Sequence, residues 1–327
     1  MKNRLTRLMC STVICASSSR GGSVYFAPML AYIIRRLLYA MPILLGVNLI
    51  TFALFFVVNS PDDMARMQLG VKRVTPEAIQ KWKAERGYDQ PLIWNTAATG
   101  TAQLTQTVFF NKSMRMFAGD FGRADDGRDI ASEIRHRAGP SLAIALPTFI
   151  LGLGVAIVFA LLLVFFRTTR LDFFGVVLCV VMMSVSGLFY IISGQWLVAK
   201  VWQWVPISGY ATGLTAAKFL VLPVLIGVIA GLGASARWYR TIFLEEITRD
   251  YVRTARAKGA SEAAVLFRHV LRNALIPILT GVVAVIPTLF MGSLLMESFF
   301  GIPGLGSYTI EAINAQDFSV VRAMVFI

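Results

Sequence analysis

Long apolar runs separated by polar segments of very unequal length dominate this chain. Five of them, residues 37–58, 142–166, 173–199, 219–236 and 275–300, reach or approach the roughly 20 residues a helix needs to cross a bilayer core. A sixth begins near Val320, and the sequence stops at Ile327, short of a full span. Lipid cannot hydrogen-bond to open strand edges, so apolar runs of this length read as helices. The pattern predicts an all-α fold: a polytopic membrane helix bundle of five spans plus the start of a sixth, lacking most of its last helix. Pro42, Pro147, Pro223, Pro277 and Pro287 fall inside these runs and predict kinks, because proline removes a backbone donor.

The polar segments divide the rest. Residues 1–28 form an N-terminal extension. Lys2, Arg4 and Arg7 precede a short apolar patch there, in the outline of a signal peptide. Cleavage is not favoured, since a translocated N-terminus would invert the charge pattern downstream; Met29 reads as the more natural start, with the extension disordered. Residues 29–58 hold the first span, 59–140 a large outer loop, and 141–327 the core, interrupted by a polar loop at 237–273. Within the outer loop, Thr75-Pro76-Glu77 marks a helix start and Gly87 a stop. Gly119-Asp120-Phe121-Gly122-Arg123 predicts a turn back toward the second span. A solvated connector is the alternative reading of this loop.

Composition supports the membrane class and narrows the chemistry. The chain is 56% hydrophobic and 15% charged, with mean hydropathy +0.66, outside the range of ordinary soluble domains. Its net charge of +13 reads as loop topology rather than nucleic-acid binding. Arg35 and Arg36, Arg167 and Arg170, and eight Lys or Arg between Arg237 and Arg272 fall on one side if the N-terminus is cytoplasmic. The outer loop, at 59–137, carries 12 Lys and Arg against 10 Asp and Glu, but loops beyond about 60 residues translocate largely regardless of charge. Cys10, Cys15 and Cys179 have neither disulfide nor zinc spacing, and His136 and His269 are too few for a His-based metal cluster.

The loop at 237–273 is the most informative polar segment. Ile247, Tyr251, Val252 and Ala255 recur at helical spacing and predict a face that rests on the membrane helices. Arg249, Arg253, Arg256 and Lys258 occupy the other face. Gly259 supplies a left-handed helix stop, Ser261 caps a second short helix, and Glu262 suits its positive N-terminus. Val265, Leu266, His269 and Val270 give that second half its own apolar stripe. Two short helices joined by a tight turn are expected on the cytoplasmic side, where a soluble partner can grip them.

With these residues in view, the sequence resembles the inner-membrane permeases of ATP-binding-cassette importers, in their dipeptide and oligopeptide branch. Arg253-Thr254-Ala255-Arg256-Ala257-Lys258-Gly259 matches the first part of the family's cytoplasmic loop motif, and Leu275-Ile276-Pro277 its end. Arg253 stands where the general importer motif has glutamate, and the glycine-to-proline gap is longer, as in the peptide branch. MLAYIIRRLL from Met29, ERGYDQPL and GDFGR in the outer loop, and FFGIPGLGSYTIEAINAQDFSVV extend the resemblance over nearly the whole chain from Met29.

The resemblance implies a transmembrane permease subunit for peptides that forms half of a translocation pathway. Its partners would be a second homologous permease, one or two ABC ATPase subunits, a periplasmic or lipid-anchored substrate-binding protein, and membrane lipid, with no nucleic acid. Tyr251, Arg253, Thr254, Ala255, Arg256, Ala257, Lys258, Gly259, Ala260 and Ser261 would engage the ATPase, with Ile276 and Pro277 closing the motif. The outer loop and residues 299–319 would face the binding protein. No cofactor is expected in this chain: no phosphate loop and no Gly-Lys pair occurs in it, so ATP and Mg belong to the ATPase. By the same resemblance, a transporter subunit of the inner membrane rather than an enzyme is expected.

Two rival readings are weighed against this. A helix-turn-helix for DNA is incompatible with spans on both sides. An ion-gradient-driven carrier would place ionisable groups inside its spans, where the candidates are Asp172, at a span edge near Arg170, and Glu297, near the outer end of the fifth run. An interface role is expected for the first, and pathway contact or interface for the second. Nickel, glutathione or another small solute is the alternative cargo within the same branch. Trp196, Trp202 and Trp204, with Tyr190, suit an interfacial belt.

Overall fold

The computed structural model describes residues 26–70, 75–96, 100–211 and 213–327. The expected N-terminal extension, with Cys10 and Cys15, therefore falls outside the described residues up to position 25. The chain divides into two compact units, one ending at Asn59 and one running from Ser60 to Ile327.

In the first unit a single helix, α1 (Phe26–Ala53), continues through a π-helical turn at Leu54–Val58. Leu37, Leu38, Ile43, Ile50 and Leu54 are exposed around it. A helix apolar on all sides has no polar face to give to water, which is the signature of a lipid-facing span.

The second unit opens with the helices α2 (Pro61–Leu69), α3 (Pro76–Arg86), α4 (Ala102–Thr105) and α5 (Val108–Lys112) of the long polar segment. The start and stop of α3 are those the sequence predicts. Thr75 Oγ1 accepts the Ala78 N–H at 3.4 Å, and Gly87 takes the left-handed conformation with φ +67°. This segment is a folded layer and not a solvated connector. Met64, Ala65, Ile79, Trp82, Tyr88, Val108 and Met116 are buried in it. The Trp82 indole donates to Gln68 at 2.8 Å, the Arg86 guanidinium lies 4.6 Å from the Trp82 ring, and Arg86 pairs with Asp125 at 2.9 Å. In the predicted GDFGR turn, Gly119 and Gly122 both adopt positive φ, and Asp120 accepts the Gly122 N–H.

The membrane core follows as α6 (Ile130–Phe165), α7 (Arg170–Ser184), α8 (Gly187–Gly194) with a π-helical extension at Gln195–Val201, and α9 (Ala216–Glu246). After α9 come α10 (Asp250–Ala257), then α11 (Glu262–Ala264), which runs through a π-helical turn at Val265–Val270 into α12 (Leu271–Leu289), and finally α13 (Leu294–Phe300), α14 (Leu305–Ala315) and α15 (Phe318–Phe326). Small residues let these helices approach closely: Ala156, Ala160 and Ala236 are fully buried, and a Cβ on Gly233 would meet the Cys179 carbonyl at 2.6 Å. Cys179 is thus a packing residue.

Two of the five expected spans differ from the sequence reading. Among the described residues, four helices are long and apolar enough to cross a membrane, or five if α7 with α8 counts as one. That third run bends by 91°, because Val185 and Ser186 are extended rather than helical. The Tyr190 hydroxyl reaches back to the Met182 carbonyl at 2.9 Å and satisfies an acceptor that the break leaves without its helical donor. The fifth run is two elements. Gly292, at φ +73°, ends the passage out of α12, and the Ser293 side chain caps α13.

Asp172, expected at a span edge, has a partner that the sequence did not name. Its carboxylate accepts from the Arg240 Nε at 3.0 Å and the second guanidinium nitrogen at 2.8 Å, which ties it to the neighbouring helix α9. Asp172→Asn leaves Arg240 without its counter-charge. An expected loss of about 1.5–3 kcal/mol, the usual range for hydrogen bonds to charged groups, is measurable as a lower thermal midpoint in detergent.

Candidate functional site

The loop after α9 becomes a short helix standing on a buried footing. Val252 is fully buried and Ala255 nearly so, packed with Ile247, Phe243, Val265 and Val270 in one cluster that reaches Ala156 and Ala160 of α6. The Tyr251 hydroxyl donates to Glu246 at 2.7 Å and ties α10 back to the end of α9; burial pushes that phenol's pKa up. The face expected to rest on the bundle does so.

The opposite face is open. Arg253, Thr254, Ala257, Lys258 and Gly259 are exposed, and the Arg253 side chain is 77% accessible, 3.6 Å from an equally open Asp250. Arg256 departs from this pattern. It is only partly exposed and forms a two-point pair with Glu262, at 2.8 and 3.2 Å, across the glycine turn.

The turn itself is a Schellman motif. Gly259 N–H bonds to the Arg256 carbonyl at 2.9 Å and Ala260 N–H to the Ala255 carbonyl at 3.2 Å, with Gly259 at φ +80°. Ser261 then accepts the Ala264 N–H at 3.3 Å and starts the next helix. The second half is not a separate short helix as expected; α11, the π-helical turn and α12 run on as one long helix that includes a candidate span. Val265, Leu266 and Val270 are buried, while His269 is only partly so. Ile276 and Pro277 are not gathered into this site. They lie on α12 and are exposed there.

A second feature lies at the far end of the bundle and was missed by reading the sequence. A cavity of 440 Å³ opens among α6, α8, α9 and α13, lined by Ile144, Thr148, Ile191, Ile226, Ala230 and Met296. Its walls are mostly apolar. The Thr148 hydroxyl is buried there with no hydrogen-bond partner among the described residues. Ser141 and Glu297 lie at one end. Glu297, 1% exposed, is neither an interface residue nor an open carboxylate: it accepts the backbone N–H groups of Ser293 at 3.0 Å, Gly306 at 2.6 Å and Ser307 at 3.1 Å. Ser141 of α6 accepts the Leu305 N–H at 2.7 Å beside it. This clasp joins α6, α13 and the start of α14. Its sequence signal is an acidic residue in an apolar run shortly before a glycine-rich stretch, Gly301 to Gly306.

Residues 140–327 match the family described as binding-protein-dependent transport system inner membrane component, and residues 29–114 match the N-terminal region of such membrane components. The chain belongs to this family. The permease is 31% identical over 299 residues to a putative peptide transport system permease of Brucella suis, covering 90% of each chain. It is 27% identical over 325 residues to a dipeptide transport system permease of Alkalihalophilus pseudofirmus, covering 91% of this chain and 92% of that one. A glutathione transport system permease of Salmonella typhimurium is 29% identical over 300 residues with the same coverage. The permease is a multi-pass inner-membrane subunit of an ABC importer.

Proposed function

We propose that this permease forms half of the translocation pathway of an ATP-driven peptide importer and receives motion through α10. One observation carries the coupling reading: a short helix with an open basic face, held by Val252 and Ala255 on the same core as α6, α9 and α12. A rigid footing is what transmission requires, because a helix seated in a moving partner displaces the bundle only if its own contacts do not yield. Tyr251, Arg253, Thr254, Ala257, Lys258, Gly259 and Ala260 supply the surface and the turn. Ala255 serves from the buried side, and Arg256 with Ser261 stiffens the glycine bend.

In this reading ATP and Mg are held by one or two separate ATPase subunits, and a second homologous permease closes the pathway. The N-terminus is cytoplasmic, by the basic residues flanking the spans, and a binding protein meets the folded outer layer at 59–140. The peptide cargo rests on relatives named for peptide and dipeptide transport; the mainly apolar cavity suits varied side chains, with Thr148 available as a polar contact. The relative named for glutathione transport keeps a small peptide-like thiol as the second cargo. The carboxylate an ion-driven carrier would need is engaged by three backbone donors at Glu297.

Affinity purification of the full-length permease in mild detergent, followed by mass spectrometry, is expected to recover a second permease and ATPases bearing phosphate loops. Arg253→Glu with Lys258→Glu reverses the charge of the open face and is expected to remove the ATPases while leaving the second permease bound. A permease that purifies alone and moves solute without ATP overturns the reading.

A further inference from the structure

Far from α10, the segment 108–123 and helix α15 enclose a small cavity of 110 Å³. The distance follows from α6. Its first residue, Ile130, packs with Val320 and Ala323 of α15, whereas Ala156 and Ala160 near its end pack with Val252. A helix of 36 residues rising 1.5 Å per residue separates the two ends by about 50 Å.

Lys112, Arg115, Arg123 and Arg322 line this cavity, against the single carboxylate of Asp120. Asp120 is already engaged, with one oxygen accepting the Gly122 N–H at 3.1 Å and the other 4.0 Å from Arg115. Cationic side chains therefore predominate in the lining, and the Lys112 ammonium also lies 5.4 Å from the Tyr88 ring. Arg322 is buried, at 3% exposure, and Lys112 is half-buried, while Arg115 and Arg123 are exposed at the mouth. Burial lowers the Lys112 pKa most, and the nearby Arg322, Arg115 and Arg86 lower it further, which marks a region of positive potential. The Asn111 amide and Ser319 hydroxyl complete a lining rich in donors.

We propose that this cavity binds a phosphate-type oxyanion. Its volume admits one tetrahedral anion and not a peptide. Guanidinium forks and an ammonium together satisfy three or four oxygens, more than a carboxylate offers, which is why Arg and Lys recur around phosphate. An anion there also relieves the repulsion of cations gathered in a partly desolvated space. Phe117 and Phe121 lie 5.1 and 6.3 Å from the Phe326 ring of α15, so the cationic segment is held against that helix. The phosphate comes either from a lipid headgroup or from free solute.

The test uses the full-length permease, delipidated in detergent. Calorimetric titration with inorganic phosphate reads the free source; native mass spectrometry after adding phosphatidylglycerol or a neutral diacylglycerol reads the headgroup source. Lys112→Gln and Arg123→Gln are each expected to weaken binding by about tenfold, the effect of losing one charge-assisted hydrogen bond, with the thermal midpoint nearly unchanged. Phosphate binding sensitive to both variants assigns a free anion. Selective retention of phosphatidylglycerol, sensitive to both variants, assigns the headgroup. Absence of both, or binding indifferent to both variants, overturns the site.

Discussion

Gly259→Val is expected to abolish most transport while leaving membrane insertion and assembly of the bundle intact. The residue adopts φ +80°, where a β-branched side chain is strained, yet a Cβ placed on it meets nothing within 4 Å. The cost is therefore in the backbone. Left-handed geometry costs an ordinary L-residue about 1–2 kcal/mol, and the chain escapes it by unwinding the turn, which releases Gly259 and Ala260 from their bonds to the ends of α10. The buried footing at Val252 survives, so the fold persists. What is lost is the fixed angle between α10 and the helix beginning at Ser261, on which docking depends. Gly259→Asn keeps more activity, because asparagine tolerates this conformation. Peptide uptake in reconstituted vesicles, beside thermal unfolding of the same variants, separates the two effects. Wild-type uptake by the valine variant would remove α10 from the coupling role.

The largest stability loss is expected at Glu297. Glu297→Ala strips the partners from three backbone N–H groups buried beside a carboxylate that is 1% exposed. Each unsatisfied donor costs about 1–3 kcal/mol, so a total of roughly 3–9 kcal/mol is expected, enough to unfold the segment from Ser293 to Ser307. Gly304→Ala attacks the same clasp from the other side, since an added Cβ collides with the Glu297 carboxylate. Glu297→Gln retains one acceptor oxygen but turns an amide NH₂ toward backbone donors, and falls between the two. Thermal unfolding in detergent reads this order directly. A folded Glu297→Gln permease that loses only gradient-driven uptake restores the ion-driven reading, whereas the clasp predicts transport falling in step with stability.

Features whose causes are local were legible before the structure. Apolar length marked helices because a span must satisfy its own backbone in lipid. Thr75 and Gly87 bounded α3, and Gly259 and Ser261 bounded the coupling turn, because caps act over three or four residues. The alternation of Val252 and Ala255 with Arg253 and Lys258 told which face of α10 is buried. These readings need no knowledge of distant chain.

Features that depend on a partner far along the chain were not. Asp172 could be placed only at a span edge, while its pairing with Arg240, 68 residues on, needed the packed helices. The run at 275–300 looked continuous, since hydropathy does not register that Glu297 gathers N–H groups from Ser293 and from the start of α14. The 91° bend after Ser184 follows two residues of extended backbone held by Tyr190, not a proline. The loop at 59–140 left a small helix and a solvated connector both open, and only the shared burial of Trp82, Met64 and Tyr88 decided between them. The sequence by itself determined the helical membrane class, the boundaries of α3 and the amphipathic pattern of α10, because periodicity and capping are local. Only the tertiary structure decided the clasp at Glu297, the cavity beside Thr148 and the cationic pocket around Lys112 and Arg322, because each joins groups that meet only when helices pack.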